Sequence, residues 1–254
     1  MSHKSIEKRV GGFDISCLYK ISGDECILFI HGLGCSKDSF IDAFDGEWFG
    51  HDLSLLAVDL VGHGQSSKPS DFLYELEQQA AVIADLLKSL DIKTLHIVAH
   101  SMGGAIALLL MRTLNQVKSF FCMEGNLVAE DCTLSKRVAS MPESKFVNEI
   151  YPLAPQKFRC RGLPTDPDPS PVAVYRSAKS LVYWSTEGNL LGEFLQLPFP
   201  KYYFYGENNQ HIAVLDRLQL IEVVKIPGGG HFMMLDNPHV TYHEIRNRIH
   251  KLRG

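Results

Sequence analysis

The sequence predicts an α/β fold, a mostly parallel central sheet flanked by helices, and two observations carry that prediction. Short apolar runs of strand length recur along most of the chain and alternate with stretches of helical period. One of those runs, residues 95–99, passes through His100 and the small-residue turn Ser101-Met102-Gly103-Gly104 directly into the apolar run 105–111. A strand, a tight turn carrying a serine and a buried helix, in that order, make a nucleophile elbow, here Ala99-x-Ser101-x-Gly103 in place of the commoner G-x-S-x-G. Bulk is excluded on both sides of such a serine because the helix folds back against the strand it left.

The elements follow in order. Residues 13–21 alternate like an outer antiparallel strand, bounded by the turns Gly11-Gly12 and Gly23-Asp24. The runs 26–30, 53–58, 95–99, 117–123, 202–205 and 221–226 read as the buried parallel strands. Leu76, Ala80, Ile83, Leu87 and Leu90 recur at steps of four and three and mark one face of a helix lying on the sheet. The stretch 102–114 is apolar almost all round, which predicts a buried central helix. In the last helix Asn237 is placed to cap and Pro238 suits the first turn, with Tyr242, Ile245, Ile249 and Leu252 as its inward stripe. One section breaks the alternation: about 75 residues separate the fourth buried strand from the fifth, far more than a crossover needs. Within it 134–141, 144–151 and 172–184 read as helices, and the proline-rich stretch 163–171 separates the last two.

Three more turns sit where the strands end. Residues 26–30 run into His31-Gly32-Leu33-Gly34, the next strand into Asp59-Leu60-Val61-Gly62-His63-Gly64-Gln65-Ser66, and the last strand into Gly228-Gly229-Gly230-His231. With the elbow, these resemble the α/β-hydrolase family across residues 14–252. The resemblance implies the α/β-hydrolase fold, with a core of residues 1–124 and 199–254 and a helical lid over 125–198. Phe146, Tyr151, Phe158, Tyr175, Leu181, Tyr183 and Trp184 are then expected to line an apolar pocket beneath the lid, or else to hold its short helices to the body.

The same resemblance assigns the chemistry. Ser101 is the expected nucleophile, and a hydroxyl that is a poor nucleophile at neutral pH needs a base within hydrogen-bond reach. His231, after three glycines, takes that part. Of the other histidines, His31 and His63 belong to structural turns, His96 and His100 to the packed central strand, and His3, His239, His243 and His250 to surface segments. His211 has no assignment. Acyl transfer also needs two donors for the oxyanion, each worth roughly a hundred- to a thousandfold in rate; the backbone N–H groups of Leu33 and Met102 are expected to serve, with Cys35 and Ser36 close enough to line the pocket.

The triad acid departs from the family's usual place. Where most members carry an aspartate in a G-x-x-D pattern, the chain reads Gly206-Glu207-Asn208-Asn209, and an amide at Asn209 cannot stabilise an imidazolium. Phe121-Cys122-Met123-Glu124-Gly125 at the end of the preceding strand is similar to haloalkane dehalogenases and coelenterazine luciferases, which carry their acid there. Glu124 is therefore the expected acid, with Glu207 its rival and Asp216 a distant third.

Dehalogenases and epoxide hydrolases of this fold place an aspartate at the elbow, so Ser101 points to an acyl-enzyme and to a carboxylic ester, thioester or lactone with an apolar portion. A carbon–carbon bond hydrolase of the ring-cleavage type and a ligand-binding relative with little turnover are the alternatives. A net charge of −4 with no basic run beyond Lys8-Arg9 argues against a nucleic-acid partner. The six cysteines show no metal spacing, and no cofactor motif is present. No apolar run approaches the ~20 residues of a membrane span, and residues 1–10 are charged and polar, which leads to the expectation of a cytoplasmic setting.

Overall fold

The computed structural model describes residues 4–90, 92–153, 155–158 and 168–253. The expectations for His3, Cys160, the side chain of Phe158 and the stretch 163–167 fall outside them. Eight strands form one sheet in the order β1-β2-β4-β3-β5-β6-β7-β8. These are β1 Lys4–Val10, β2 Phe13–Lys20, β3 Glu25–Ile30, β4 Leu53–Val58, β5 Thr94–His100, β6 Val117–Met123, β7 Lys201–Gly206 and β8 Glu222–Ile226. From β4 to β8 every pairing is parallel, while β1 and β2 are antiparallel additions at one edge.

The inner parallel strands are buried on both faces, as sheets with helices on either side require, while the edge strand β8 is exposed at Glu222, Val223 and Lys225. Period-two alternation divides their side chains. Leu28, Ile30, Leu56, Val58, Ile97, Ala99, Phe120 and Cys122 pack on one face with the helices Leu76–Ser89 and Met102–Met111. Ile27, Phe29, Leu55, Ala57, Val98, Phe121 and Met123 pack on the other face with Phe40, Phe44, Phe49 and the helix Pro238–Lys251. Phe29 has no exposed surface and stands within ring contact of Phe40, Phe44, Phe49 and Tyr242. Truncating such a residue to alanine costs about 3–5 kcal/mol, so this aromatic knot anchors the sheet under the site.

β1 departs from the sequence reading, which gave the opening segment as charged and polar. Its residues are mostly exposed, so no apolar alternation reveals it. The turn Gly11-Gly12, with φ of +57° and +90°, reverses the chain and lays Lys4–Val10 along β2, where backbone pairing is joined by Val10 and Ile6 packing on the core and by Arg9 bonding to Asp14. Between β6 and β7 run the helices Thr133–Ala139, Pro171–Glu187 and Leu190–Gln196, the last unassigned from sequence, with a helical stretch of irregular pitch over 143–153. Phe146, Tyr151 and Tyr175 pack with Val138, Val174 and Ala178 into a small core of their own.

Candidate active site

The site is built where β5, β6 and β7 end. Ser101, the residue after β5, holds φ +54° and ψ −122°, a conformation costly for any residue but glycine. The strain is locked in by its neighbours. Its N–H donates to the Met123 carbonyl at 2.9 Å, and its own carbonyl receives the Gly104 N–H at 2.9 Å. The elbow glycine is required by space, since a methyl group at Gly103 would stand 2.4 Å from the Ile30 carbonyl oxygen. The helix Met102–Met111 starts immediately behind the serine, so its first N–H groups have no partner within the helix and face the turn.

Glu124 follows β6 and also holds a positive φ, +43°, which turns its side chain back over the ends of the strands. Its carboxylate is almost fully buried and takes three donors. The Gly206 N–H reaches Oε1 at 2.9 Å, and the Asn209 amide and His231 Nδ1 reach Oε2 at 2.8 and 2.7 Å. With Nδ1 donating to the carboxylate, Nε2 is the ring nitrogen left to accept a proton. Asn209, which stands at the family's usual acid position, thus becomes a donor to the acid; a second carboxylate there would repel Glu124. Glu207 points elsewhere, pairing with Lys225 at 3.1 Å and the Gly228 N–H at 3.0 Å on the surface. Asp216 is exposed and outside the cavity lining.

His231 is held by its backbone as well, because buried His100 donates Nε2–H to its carbonyl at 2.8 Å with the two rings 4.6 Å apart. Burial first, then the neighbouring imidazole, push the His100 pKa well below the ordinary value, so the ring stays neutral. His31 and His63 bind turn backbone: His31 donates to the Gly32 carbonyl at 2.8 Å and accepts the Leu60 N–H at 3.1 Å. Burial lowers their pKa values to about 4 and about 3. The loop carrying Leu33 is fastened by a buried ion pair, Lys37 Nζ to Asp59 at 2.8 Å, with the Lys37 N–H on the same carboxylate at 2.7 Å. Gly32 is packed so closely that a methyl group there would lie 3.0 Å from Ser101 Cβ.

A cavity of about 910 Å³ opens over these residues, lined by Leu33, Cys35, His100, Ser101, Glu124, Asn126, Asn209, His211, His231 and Phe232 among others. The section between β6 and β7 contributes Asn126, Glu130, Asp131, Cys132, Thr133, Leu134, Ser135, Arg137 and Gln156. Among the described side chains the expected aromatic lining is not there, and the alternative expectation, that these residues hold the short helices, fits several of them. Phe146, Tyr151 and Tyr175 are spent on packing the short helices, Leu181 lies in the main core, Tyr183 is exposed, and the Trp184 ring carries the Arg112 guanidinium. Ser36 is also turned away from the cavity, its hydroxyl accepting the Asp38 N–H. His211, unassigned from sequence, lines the cavity, and so does Asn126, which sequence reasoning passed over. Ser101 Oγ donates to Asn126 Oδ1 at 3.1 Å, and among the described residues it has no hydrogen bond to His231. No group of residues among those described is arranged to hold a metal ion.

The profile of the Alpha/beta hydrolase family matches residues 27–244. The chain belongs to the alpha/beta hydrolase family. Solved structures agree on the fold: this hydrolase superposes on the haloalkane dehalogenase DatA from Agrobacterium tumefaciens with a TM-score of 0.75 over 99% of this chain and 97% of that one, at 23% identity. Among curated relatives, it is 37% identical over 98 residues to the dihydrolipoyllysine-residue acetyltransferase component of an acetoin cleaving system from Cupriavidus necator. It is 39% identical over 87 residues to the probable lysophospholipase BODYGUARD 4 of Arabidopsis thaliana. These matches cover 39% and 34% of the hydrolase but 25% and 21% of the relatives, so the chain spans about a quarter or less of their length. No helix among the described residues is long and apolar enough to cross a membrane.

Proposed function

We propose that this alpha/beta hydrolase cleaves a carboxylic ester, thioester or lactone through an acyl-enzyme on Ser101. The observation that carries the reading is the serine on a strained turn, lining the same cavity as a histidine whose Nδ1 is bound by a buried glutamate. Ser101 Oγ attacks the carbonyl carbon while its proton passes to His231 Nε2. The carbonyl π pair moves onto oxygen, which the N–H groups of Leu33 and Met102 receive. Glu124 stabilises the imidazolium, which then protonates the departing alcohol, thiol or ring oxygen. Water repeats the sequence on the acyl-enzyme and frees the acid. Residues 125–198 act as the lid. The lysophospholipase relative, named for a carboxylic ester substrate, supports the ester over other leaving groups.

The test is covalent. A fluorophosphonate added to the purified protein is expected to add one phosphonyl group on the peptide containing Ser101 and to abolish hydrolysis of a short p-nitrophenyl ester in proportion. Full turnover by protein labelled stoichiometrically at Ser101 would sink the assignment.

A further inference from the structure

Asn126 is a buried polar residue in the cavity that the triad does not use. Its residue surface is 7% exposed and its amide is hydrogen-bonded at both its nitrogen and its oxygen. Nδ2 donates to the Asp131 carbonyl at 3.1 Å, which determines the orientation of the amide and leaves Oδ1 toward the nucleophile. Its backbone carbonyl accepts the Ser185 hydroxyl at 3.0 Å from the helix Pro171–Glu187. Asp131 is itself tied down, its carboxylate receiving the N–H groups of Ala213 and Val214 at 2.8 and 3.2 Å. Among the described residues the one hydrogen-bond partner of Oδ1 is the Ser101 hydroxyl, at 3.1 Å.

That partner leaves during the reaction. To pass its proton to His231, Ser101 must turn its O–H away from Asn126, and a buried carbonyl oxygen is then left without a donor unless the substrate brings one. Oδ1 lies one hydrogen bond from Oγ, so it lies within reach of a substituent on the carbon next to the carbonyl that Oγ attacks. We propose that Asn126 Oδ1 is a specificity determinant, selecting acyl groups that carry a hydroxyl or amide N–H donor on the carbon adjacent to the scissile carbonyl. This rests on the acyl-transfer reading above. The resting Ser101–Asn126 bond is then exchanged for a substrate–Asn126 bond at the moment Ser101 becomes a nucleophile, while a substrate without the donor leaves Oδ1 unpaired.

The test compares p-nitrophenyl 2-hydroxybutanoate with p-nitrophenyl 2-fluorobutanoate, fluorine replacing the hydroxyl at similar size without a donor. Each kcat/KM is divided by the spontaneous rate of its ester. The wild-type protein is expected to favour the hydroxy ester by about ten- to a hundredfold, the scale of leaving one buried acceptor unpaired. Asn126→Leu is expected to bring that ratio to about one, because the hydroxy ester loses more than the fluoro ester. Equal corrected efficiencies in the wild type overturn the proposal and leave the serine mechanism standing. A variant that slows both esters by the same factor also overturns it, showing Asn126 to be structural. Turnover of neither ester by the wild type would overturn the acyl-transfer reading and this proposal together. Should the variant fail to fold, the wild-type comparison decides alone.

Discussion

Two edges of the sheet each gather a serine, a histidine and a glutamate, and the tidier of the two is the one sealed from solvent. At the amino ends of the parallel strands Ser119 lies 2.7 Å from His96 Nδ1, and His96 Nε2 lies 2.9 Å from Glu25, which also receives Arg253 at 3.1 Å. Every link is made, with the serine donating to a histidine that donates to a carboxylate. Yet Ser119 and His96 face each other across β5 and β6, just past a shift in the strand register, and are 0% and 1% exposed, so no substrate can reach them. At the carboxyl ends Ser101 is partly exposed at a cavity, sits on a strained turn in front of a helix N-terminus, and donates to Asn126. The difference teaches that three residue types in contact do not make a hydrolytic site. Access and a backbone that presents the hydroxyl are what separate the two edges, and they lie at the strand ends where open α/β sheets place ligands.

The sharpest way to break this comparison is to remove each serine. Ser101→Ala is expected to lower turnover of a p-nitrophenyl ester by about a millionfold, close to loss of the whole triad. Ser119→Ala should leave turnover within severalfold and cost about 1–3 kcal/mol of stability, because it leaves a buried imidazole nitrogen unpaired. Steady-state kinetics and urea unfolding on both variants check the pair; a catalytic collapse on loss of Ser119 would erase the distinction.

A smaller effect sharpens the assignment of the acid. Glu124→Gln is expected to lower turnover by about 10⁴, the scale seen when a triad carboxylate loses its charge. Glu207→Gln should have little effect, since Glu207 is engaged with Lys225 and Gly228 on the surface. The reverse ranking in kcat would return the acid to the family's ordinary position.

The smallest effect concerns protons on the buried rings at the upper edge. His31 and His63 hold pKa values of about 4 and about 3 because burial penalises the charged ring, whereas the unfolded chain protonates near the ordinary 6.5. Below that value the unfolded state binds more protons than the folded one, so stability is full above about pH 6.5 and declines as the pH falls. Each ring accounts for roughly 2 kcal/mol lost by pH 5. Unfolding free energies measured from pH 7 to pH 5 are expected to fall accordingly, and His63→Asn should flatten the slope by about half of that two-ring contribution. A flat profile for the unmodified protein would mean these rings are not held neutral.

The sequence by itself determined the strand alternation from β3 to β8, the central helix behind Ser101 and the membership of the family, because each is written in local pattern: apolar runs of strand length, helical period and small residues at a turn. It also made Glu124 conspicuous, as an acid closing a buried strand. Partnerships across distant segments were decided by the tertiary structure. β1 exists because a glycine turn offers the mostly exposed Lys4–Val10 the free edge of β2, a pairing that its largely polar side chains do not report. Asn209 becomes a donor to Glu124, 85 residues away along the chain, because β6 and β7 are neighbours. Phe146, Tyr151 and Tyr175 fill the gaps between their own short helices, and the cavity is lined instead by a mixture of polar and apolar groups whose spacing carries no period. Asn126 shows the limit most plainly. A lone asparagine in a turn means nothing in sequence, and its part comes from a fold that fixes its amide between Asp131 and Ser101, two residues with no pattern linking them to it.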